Sequence, residues 1–131
     1  MGRMVLLRHD LPDGSSHYDW MIEATPGAER LLTFRVSARI DLARSDATSE
    51  MRTFRAERLP DHRRAYLEFE GDIGGGRGTV TRVARGEATR VSLTGDDGLA
   101  TVEIVADWGA GAVRLRGRRE GVEWVFEAEF A

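Results

Sequence analysis

Residues 122–130 read VEWVFEAEF, a run in which apolar and charged side chains alternate. Alternation with a period of two is typical of a β-strand that buries one face and exposes the other. The face that would be buried carries Val122, Trp124, Phe126, Ala128 and Phe130. The segment therefore predicts a half-buried strand.

Similar short segments, rich in β-branched and aromatic residues, recur along the chain between glycine-containing turn signals. We predict strands over residues 4–8, 17–23, 31–36, 65–69, 79–83, 89–93, 100–106, 113–116 and 122–130. The turn signals between them are PDG at 12–14, TPG at 25–27, GGGRG at 74–78, RGE at 85–87, GDDG at 95–98 and GAG at 109–111. Strands at this spacing indicate an all-β sandwich or barrel.

Residues 40–59, IDLARSDATSEMRTFRAERL, interrupt this pattern because their apolar positions form no stripe. We interpret them mainly as one long polar connection, with at most a turn or two of helix. Connections of that length in a compact domain are often functional.

Composition limits the class of protein. A chain of 131 residues predicts one domain over 1–131, and 41% hydrophobic with 31% charged residues is an ordinary globular balance. The sequence contains no cysteine, which excludes a disulfide framework and a thiolate metal site. A net charge of -3 argues against broad coating of nucleic acid but leaves room for a small anion-binding pocket.

The N-terminal apolar run MVLL is too short for the core of a signal peptide. No run approaches the roughly 20 apolar residues of a membrane span. We therefore expect a cytoplasmic protein with no membrane partner.

Two of the three histidines lie in HDLPDGSSHYDWMIE, residues 9–23. If 17–23 is a strand, His17 and Asp19 point to the same side, and the PDGSS turn could return the chain to His9. A His/His/Asp cluster suits a divalent metal. The alternative is that His17 is a packed strand histidine and Asp19 pairs with an arginine. The third histidine, His62 in LPDH, is by default an exposed loop residue.

Other motifs carry little chemistry. GGGRG at 74–78 lacks the spacing of a phosphate-binding P-loop and predicts a hairpin connection. Neither a GxSxG motif nor a cysteine is present, so nucleophilic serine or cysteine catalysis has no support.

Two segments together resemble the 3′-phosphoesterase domain of bacterial DNA ligase D. HYDWMIE at 17–23 resembles that family's HYDFRLE, and DHRRAYLEFEGDI at 61–73 resembles its DHPLEYADFEGVI. RHDLPDGSSHYD at 8–19 is similar to its KHxxxxxLHYD, with two more residues between the histidines. The glycine-rich stretch that follows 73 and the closing EWVF are also similar. The resemblance covers most of the chain and is vague between 37 and 58.

The resemblance implies a compact antiparallel β-barrel with a divalent metal, Mn²⁺ in that family, that removes a terminal ribonucleoside and then a 3′-phosphate during DNA repair. It implies that His9, Asp19 and His62 bind the metal. It also implies that His17 contacts the scissile phosphate and that Tyr66 lies beside the site. The partner would be the 3′ end of DNA or of an RNA-DNA primer, and a separate ligase or polymerase is a candidate partner protein.

The chain departs from the family at two cationic positions. The arginine of HYDFRLE is Met21 here, and the lysine of the family's SWAVPKG corresponds to Ala38. A cation that would hold the substrate phosphate is therefore missing from both. The arginines that could replace it are Arg35, Arg39, Arg52 and Arg55. We assign substrate binding to Arg52 and Arg55.

Three functions remain open at this point. The first is a metal-dependent phosphoesterase on 3′ ends of nucleic acid, which the retained His17 favours. The second is a non-catalytic relative that binds a metal, a nucleic-acid end or a partner protein and has lost turnover, which Met21 favours. The third is hydrolysis of a small phosphoester, which would fit the acidic pI of about 5.6.

Overall fold

A computed structural model describes residues 2–42, 52–95 and 100–130. The strands in these ranges are β1 (Gly2–Asp10), β2 (Ser16–Ile22), β3 (Arg30–Val36), β4 (Thr53–Arg63), β5 (Gly71–Asp72), β6 (Thr79–Thr94), β7 (Thr101–Asp107), β8 (Ala112–Glu120) and β9 (Glu123–Phe130). Two 3₁₀ helices occupy Ile40–Leu42 and Arg64–Leu67. None of the helices in the described ranges has the length and hydropathy needed to cross a membrane.

The described strands form one antiparallel sheet that closes on itself. Neighbouring strands follow the order β1-β2-β3-β4-β9-β8-β7-β6, and β6 pairs again with β1. The result is a barrel-like ring of eight strands. The short strand β5 pairs with β6 as a ninth strand outside the ring. The prediction of an all-β, antiparallel, barrel-like fold is therefore confirmed.

The interior of the ring is filled by an apolar cluster with side chains from all eight ring strands. On β9, Trp124 and Phe126 are buried as the alternation of the segment predicted. The predicted burial of Val122 is wrong, because this residue precedes β9 and is exposed. The ring of Phe126 lies 5.4 Å from that of Trp20 and 5.1 Å from that of Phe34. Aromatic pairs at such distances add to the free energy gained from burial alone. This interior cluster holds the strands of the ring together.

The predicted long polar connection is wrong over residues 53–59, which belong to β4. Only Ala56 of this strand is fully buried, and charged residues and Pro60 interrupt its alternation. β4 forms because β3 and β9 supply hydrogen-bonding partners on its two sides. Residues 43–51, the rest of the predicted connection, lie outside the described residues.

The turn predicted at 85–87 is also wrong, because β6 runs through it without a break. A side chain on Gly86 would place its Cβ 2.5 Å from the carbonyl oxygen of Asp107 and 3.0 Å from the ring of Trp108. This glycine allows a close approach of β6 to the end of β7 and does not mark a turn.

A second apolar cluster, here called the outer cluster, lies on the outer face of β1, β2 and β3. Its buried members are Val5, Leu7, Met21, Leu31, Leu67 and Val80. The strand predicted over 65–69 is wrong, because residues 64–67 form a 3₁₀ helix that lays Leu67 on this cluster. The apolar residues in AYLEF cover a sheet face and do not extend a sheet.

We expect Leu67→Ala to lower the free energy of unfolding by about 2–5 kcal/mol, because it leaves a cavity in the outer cluster. Val122→Ala is the control, since Val122 is 86% exposed and its truncation should change stability by less than about 0.5 kcal/mol. Urea unfolding followed by tryptophan fluorescence measures both. Equal stability of the two variants would contradict the buried position of Leu67.

Candidate metal centre

The hairpin of β1 and β2 places the histidine pair. His9 lies directly opposite His17, and Leu7 lies opposite Asp19. Because side chains alternate along a strand, His17 and Asp19 share the outer face of the ring while Trp20 enters the interior cluster. The predicted common side of His17 and Asp19 and the predicted return of the chain to His9 are both confirmed.

The three side chains converge within hydrogen-bonding range. His9 Nδ1 lies 3.2 Å from His17 Nε2 and 3.4 Å from Asp19 Oδ2. His17 Nε2 lies 3.1 Å from Asp19 Oδ1. The side chains are 13%, 11% and 5% exposed for His9, His17 and Asp19. Two imidazole nitrogens and a carboxylate are thus held together and largely removed from water.

This donor set fits a divalent cation. Asp19 Oδ1 is buried and has no hydrogen-bond partner in the described residues, although His17 Nε2 lies close to it. A buried carboxylate oxygen without a partner costs free energy, which a bound cation would recover. The alternative pairing of Asp19 with an arginine is not seen among the described residues, where its close ionic contacts are with His9 and His17.

A backbone carbonyl orients the ring of His9. His9 Nε2–H donates to the carbonyl oxygen of Arg77 at 2.8 Å, which leaves the lone pair of Nδ1 directed into the group. Such a contact fixes the tautomer of a metal-binding histidine. The Arg77 carbonyl reaches this position because the next residue, Gly78, packs closely against the backbone of Asp10. Gly78 has a φ of +99°, and a Cβ on it would lie 2.0 Å from the carbonyl oxygen of Asp10.

The glycine-rich run therefore has a second role that the sequence analysis missed. Its predicted hairpin connection is confirmed, since β5 and β6 pair on either side of it. The available signal was a glycine immediately before a strand, which often marks a close approach of two backbones. Here that approach delivers the acceptor for His9.

A β-bulge turns His62 toward the same face. Leu31 of β3 pairs with His62, whereas Thr33 pairs with Leu59, so β4 has one extra residue between the two pairs. Pro60, which lacks an N–H, is tolerated at such a bulge. His62 thereby shares the face of Leu31, a member of the outer cluster. The interpretation of His62 as a loop residue is wrong.

A cavity of about 700 Å³ lies against this outer face. His9 and Asp19 line it together with His62 and Tyr66, whose rings are 5.7 Å apart. Met21 belongs to its floor and is 1% exposed. The cavity thus joins the two motifs, which are distant in sequence.

The structure groups the predicted site residues differently from the resemblance. His17, and not His62, lies in the ligand group with His9 and Asp19. His62 and Tyr66 lie in the cavity beside that group. The metal-binding role for His62 and the phosphate-binding role for His17 stay predictions, and the geometry favours an exchange of the two.

The two arginines assigned to substrate binding lie farther out. Arg55 Nη1 donates to Glu123 Oε2 at 2.8 Å, and Arg55 lines a smaller cavity that also contains His17. Arg52 lies one residue before β4 and lines neither cavity.

Charge and burial set the protonation of His17. Burial lowers the pKa of His17, the charge of Asp19 raises it, and the charges of Arg35 and His9 lower it further, with a net downward shift. A lowered pKa favours the neutral imidazole, which is the form that binds metal ions.

Glu23 braces the segment that closes the cavity. Its carboxylate is 3% exposed and accepts from the backbone N–H of Arg3 at 3.0 Å, the backbone N–H of Gly27 at 3.1 Å and the guanidinium of Arg64. Burial alone would raise the pKa of Glu23, but these donors lower it below the ordinary value of 4.5. The contact with Arg64 ties the 3₁₀ helix that carries Tyr66 to the end of β2.

Comparison of the chain with protein-family models and with the sequences of curated proteins found no match.

We expect His17→Ala and Asp19→Ala to weaken Mn²⁺ binding by more than the roughly 10- to 100-fold that follows loss of a group that only orients a ligand. His62→Ala should leave Mn²⁺ affinity nearly unchanged. Calorimetric titration of the three variants with MnCl₂ compares them. Strong loss of affinity in His62→Ala, with His17→Ala unaffected, would support the ligand set implied by the resemblance instead.

We expect Glu23→Gln to lower the free energy of unfolding at pH 7 by about 1–3 kcal/mol, because it weakens a buried, charge-assisted network. The folded pKa lies below the ordinary 4.5, so the contribution of Glu23 is complete above that value and disappears as the pH falls through the folded pKa. Urea unfolding at pH 7 and in steps below pH 4.5 should show the variant and the native chain converging. The exposed Glu29→Gln is the control, and a pH-independent difference would contradict the assignment.

Proposed function

We propose that the chain is a divalent-metal-dependent phosphoesterase, with Mn²⁺ as the metal, that acts on 3′ ends of nucleic acid in DNA repair. The observation that supports this most is the buried group of His9, His17 and Asp19 at the wall of a cavity that also contains His62 and Tyr66. The resemblance to the phosphoesterase domain of DNA ligase D supplies the class of substrate, a 3′-phosphate or a terminal ribonucleoside.

The metal would be held by His9 Nδ1, His17 Nε2 and a carboxylate oxygen of Asp19. A divalent metal bound there supplies polarisation of a phosphoryl oxygen and a lowered pKa for a bound water. The carbonyl of Arg77 keeps His9 in the tautomer that this requires. The hairpin register holds the three groups on two paired strands, which are more rigid supports than loops.

In this proposal, His62 acts on the leaving oxygen. Its Nδ1–H donates to the carbonyl of Pro60 at 2.7 Å, which orients the ring and leaves Nε2 without a hydrogen bond in the described residues. When both ring nitrogens carry a proton, the imidazolium can donate the Nε2 proton to a leaving oxygen or stabilise charge that develops on it. The hydroxyl of Tyr66, on the same wall, can donate to a phosphoryl oxygen.

The charge of the cavity suits an anionic substrate despite the acidic composition of the chain. Four arginines and three aspartates line it, and one of those aspartates is Asp19, which the metal would neutralise. Local positive charge of this kind attracts phosphate independently of the net charge.

We expect the native chain to release phosphate from a primer-template that ends in a 3′-phosphate when Mn²⁺ is present. His62→Ala should lower the rate by about 10²- to 10⁴-fold, because it removes the proposed proton donor. Tyr66→Phe should lower it less. Tyr18→Phe is the matched control, since Tyr18 packs against the interior cluster on the other face of β2.

A second candidate, a non-catalytic relative that binds metal or a nucleic-acid end, is favoured by Met21, which gives the cavity an apolar floor. Mn²⁺ binding without phosphate release would favour this candidate. Release that persists in His62→Ala would contradict the role proposed for His62.

A further inference from the structure

We infer that Arg35 is the cation that contacts the phosphoryl group of the substrate beside the metal centre, an inference that rests on the proposed function. Arg35 of β3 lies directly opposite Asp19 of β2 in the sheet. Paired residues of neighbouring strands share a face, so Arg35 projects on the side of the ring that carries His17 and Asp19.

The guanidinium of Arg35 has donors that the described residues do not use. Its Nε is buried and has no hydrogen-bond partner there. Its Nη1 lies 3.7 Å from Glu57 Oε2, which is too long for a hydrogen bond, and the side chain of Glu57 is 57% exposed. A guanidinium carries five N–H donors in a planar fork that matches phosphate oxygens. Arg35 therefore lies on the same face as the candidate metal centre with donors left for a ligand.

Arg35 also stands where two cavities meet. It lines the larger cavity with His9 and Asp19, and it lines the smaller cavity with His17. A phosphoryl group at the metal centre can therefore reach the guanidinium whichever cavity receives the rest of the substrate.

Two other arginines considered for this role donate hydrogen bonds to carboxylates, whereas Arg35 has only the longer ion pair with Glu57. Arg39 donates to both oxygens of Asp41 at 2.7 Å. Arg55 donates to Glu123 at 2.8 Å. The replacement of either pair by a substrate phosphate would first require an existing charge-assisted contact to break.

Two possible roles of Arg35 predict different changes in cation and anion binding when the residue is removed. If Arg35 served only to offset the charge of Asp19, its removal would strengthen cation binding at the metal centre and leave anion binding unchanged. If Arg35 contacts the substrate, its removal weakens anion binding, and any gain in metal affinity from the loss of a nearby positive charge accompanies that weakening.

The test compares the native chain with Arg35→Met, Arg35→Lys and the control Arg90→Met. Arg90 lines a cavity that shares no residue with either cavity at the centre. The probe is inorganic phosphate, titrated against the Mn²⁺-loaded protein and followed by broadening of the phosphorus NMR signal. A parallel calorimetric titration uses metal-free protein. Thermal unfolding checks that each variant is folded.

We expect Arg35→Met to bind phosphate about 10- to 100-fold more weakly, the effect of losing hydrogen bonds to a charged group. Arg35→Lys should recover part of the loss, and Arg90→Met should bind like the native chain. Unchanged phosphate affinity in Arg35→Met, or no phosphate binding by the native chain, would overturn the inference. Tighter Mn²⁺ binding with unchanged phosphate affinity would also overturn the inference, and it would indicate that Arg35 only offsets the charge of Asp19.

The phosphate-binding test of Arg35 can succeed or fail independently of the test for hydrolysis. Loss of phosphate binding in Arg35→Met, in a protein that shows no hydrolysis, would support the anion site and contradict turnover. If the native chain holds no Mn²⁺, the metal-free titration decides, and equal phosphate affinity of the native chain and Arg35→Met would overturn the inference.

Discussion

The pairing of β1 with both β2 and β6 is the constraint on which the rest of the structure depends. It closes the ring, so each ring strand finds hydrogen-bonding partners on both sides. The same pairing sets His9 opposite His17 and brings the glycine-rich hairpin of β6 against the end of β1. Closure of the ring and assembly of the candidate metal centre are thus consequences of one register, and a slip of one residue would undo both.

The proposed chemistry lies on the outer face of the ring and not in its interior. The interior is filled with apolar side chains, whereas the outer cluster is covered by the 3₁₀ helix at 64–67 and the turn that follows. This cover creates a cavity whose floor is apolar and whose wall carries the His/His/Asp group. A carboxylate buried there needs a positive partner, since an isolated buried charge is costly. The low exposure of Asp19 therefore argues for a cation at the centre.

Two local irregularities adjust the site on this regular frame. The bulge at Pro60 reverses the direction in which His62 would point, and Gly78 allows the backbone approach that orients His9. Neither residue contacts a substrate in the proposed mechanism, yet each determines where a histidine is directed. Arg35 lies across from Asp19 with donors to spare, on a strand fixed from both sides. The proposed machinery is therefore placed on strands and their bulges.

The sequence by itself determined the strands whose alternation is strong, such as β9, and the common face of His17 and Asp19, because burial of one face appears directly as a period of two. It did not reveal β4, whose single fully buried residue is Ala56, nor the continuity of β6 through Gly86. Only the tertiary structure decided that His62 lies in β4 and faces the cavity beside the group of His9, His17 and Asp19. The physical reason is that a register and a bulge depend on hydrogen bonds to distant strands, which local periodicity does not record.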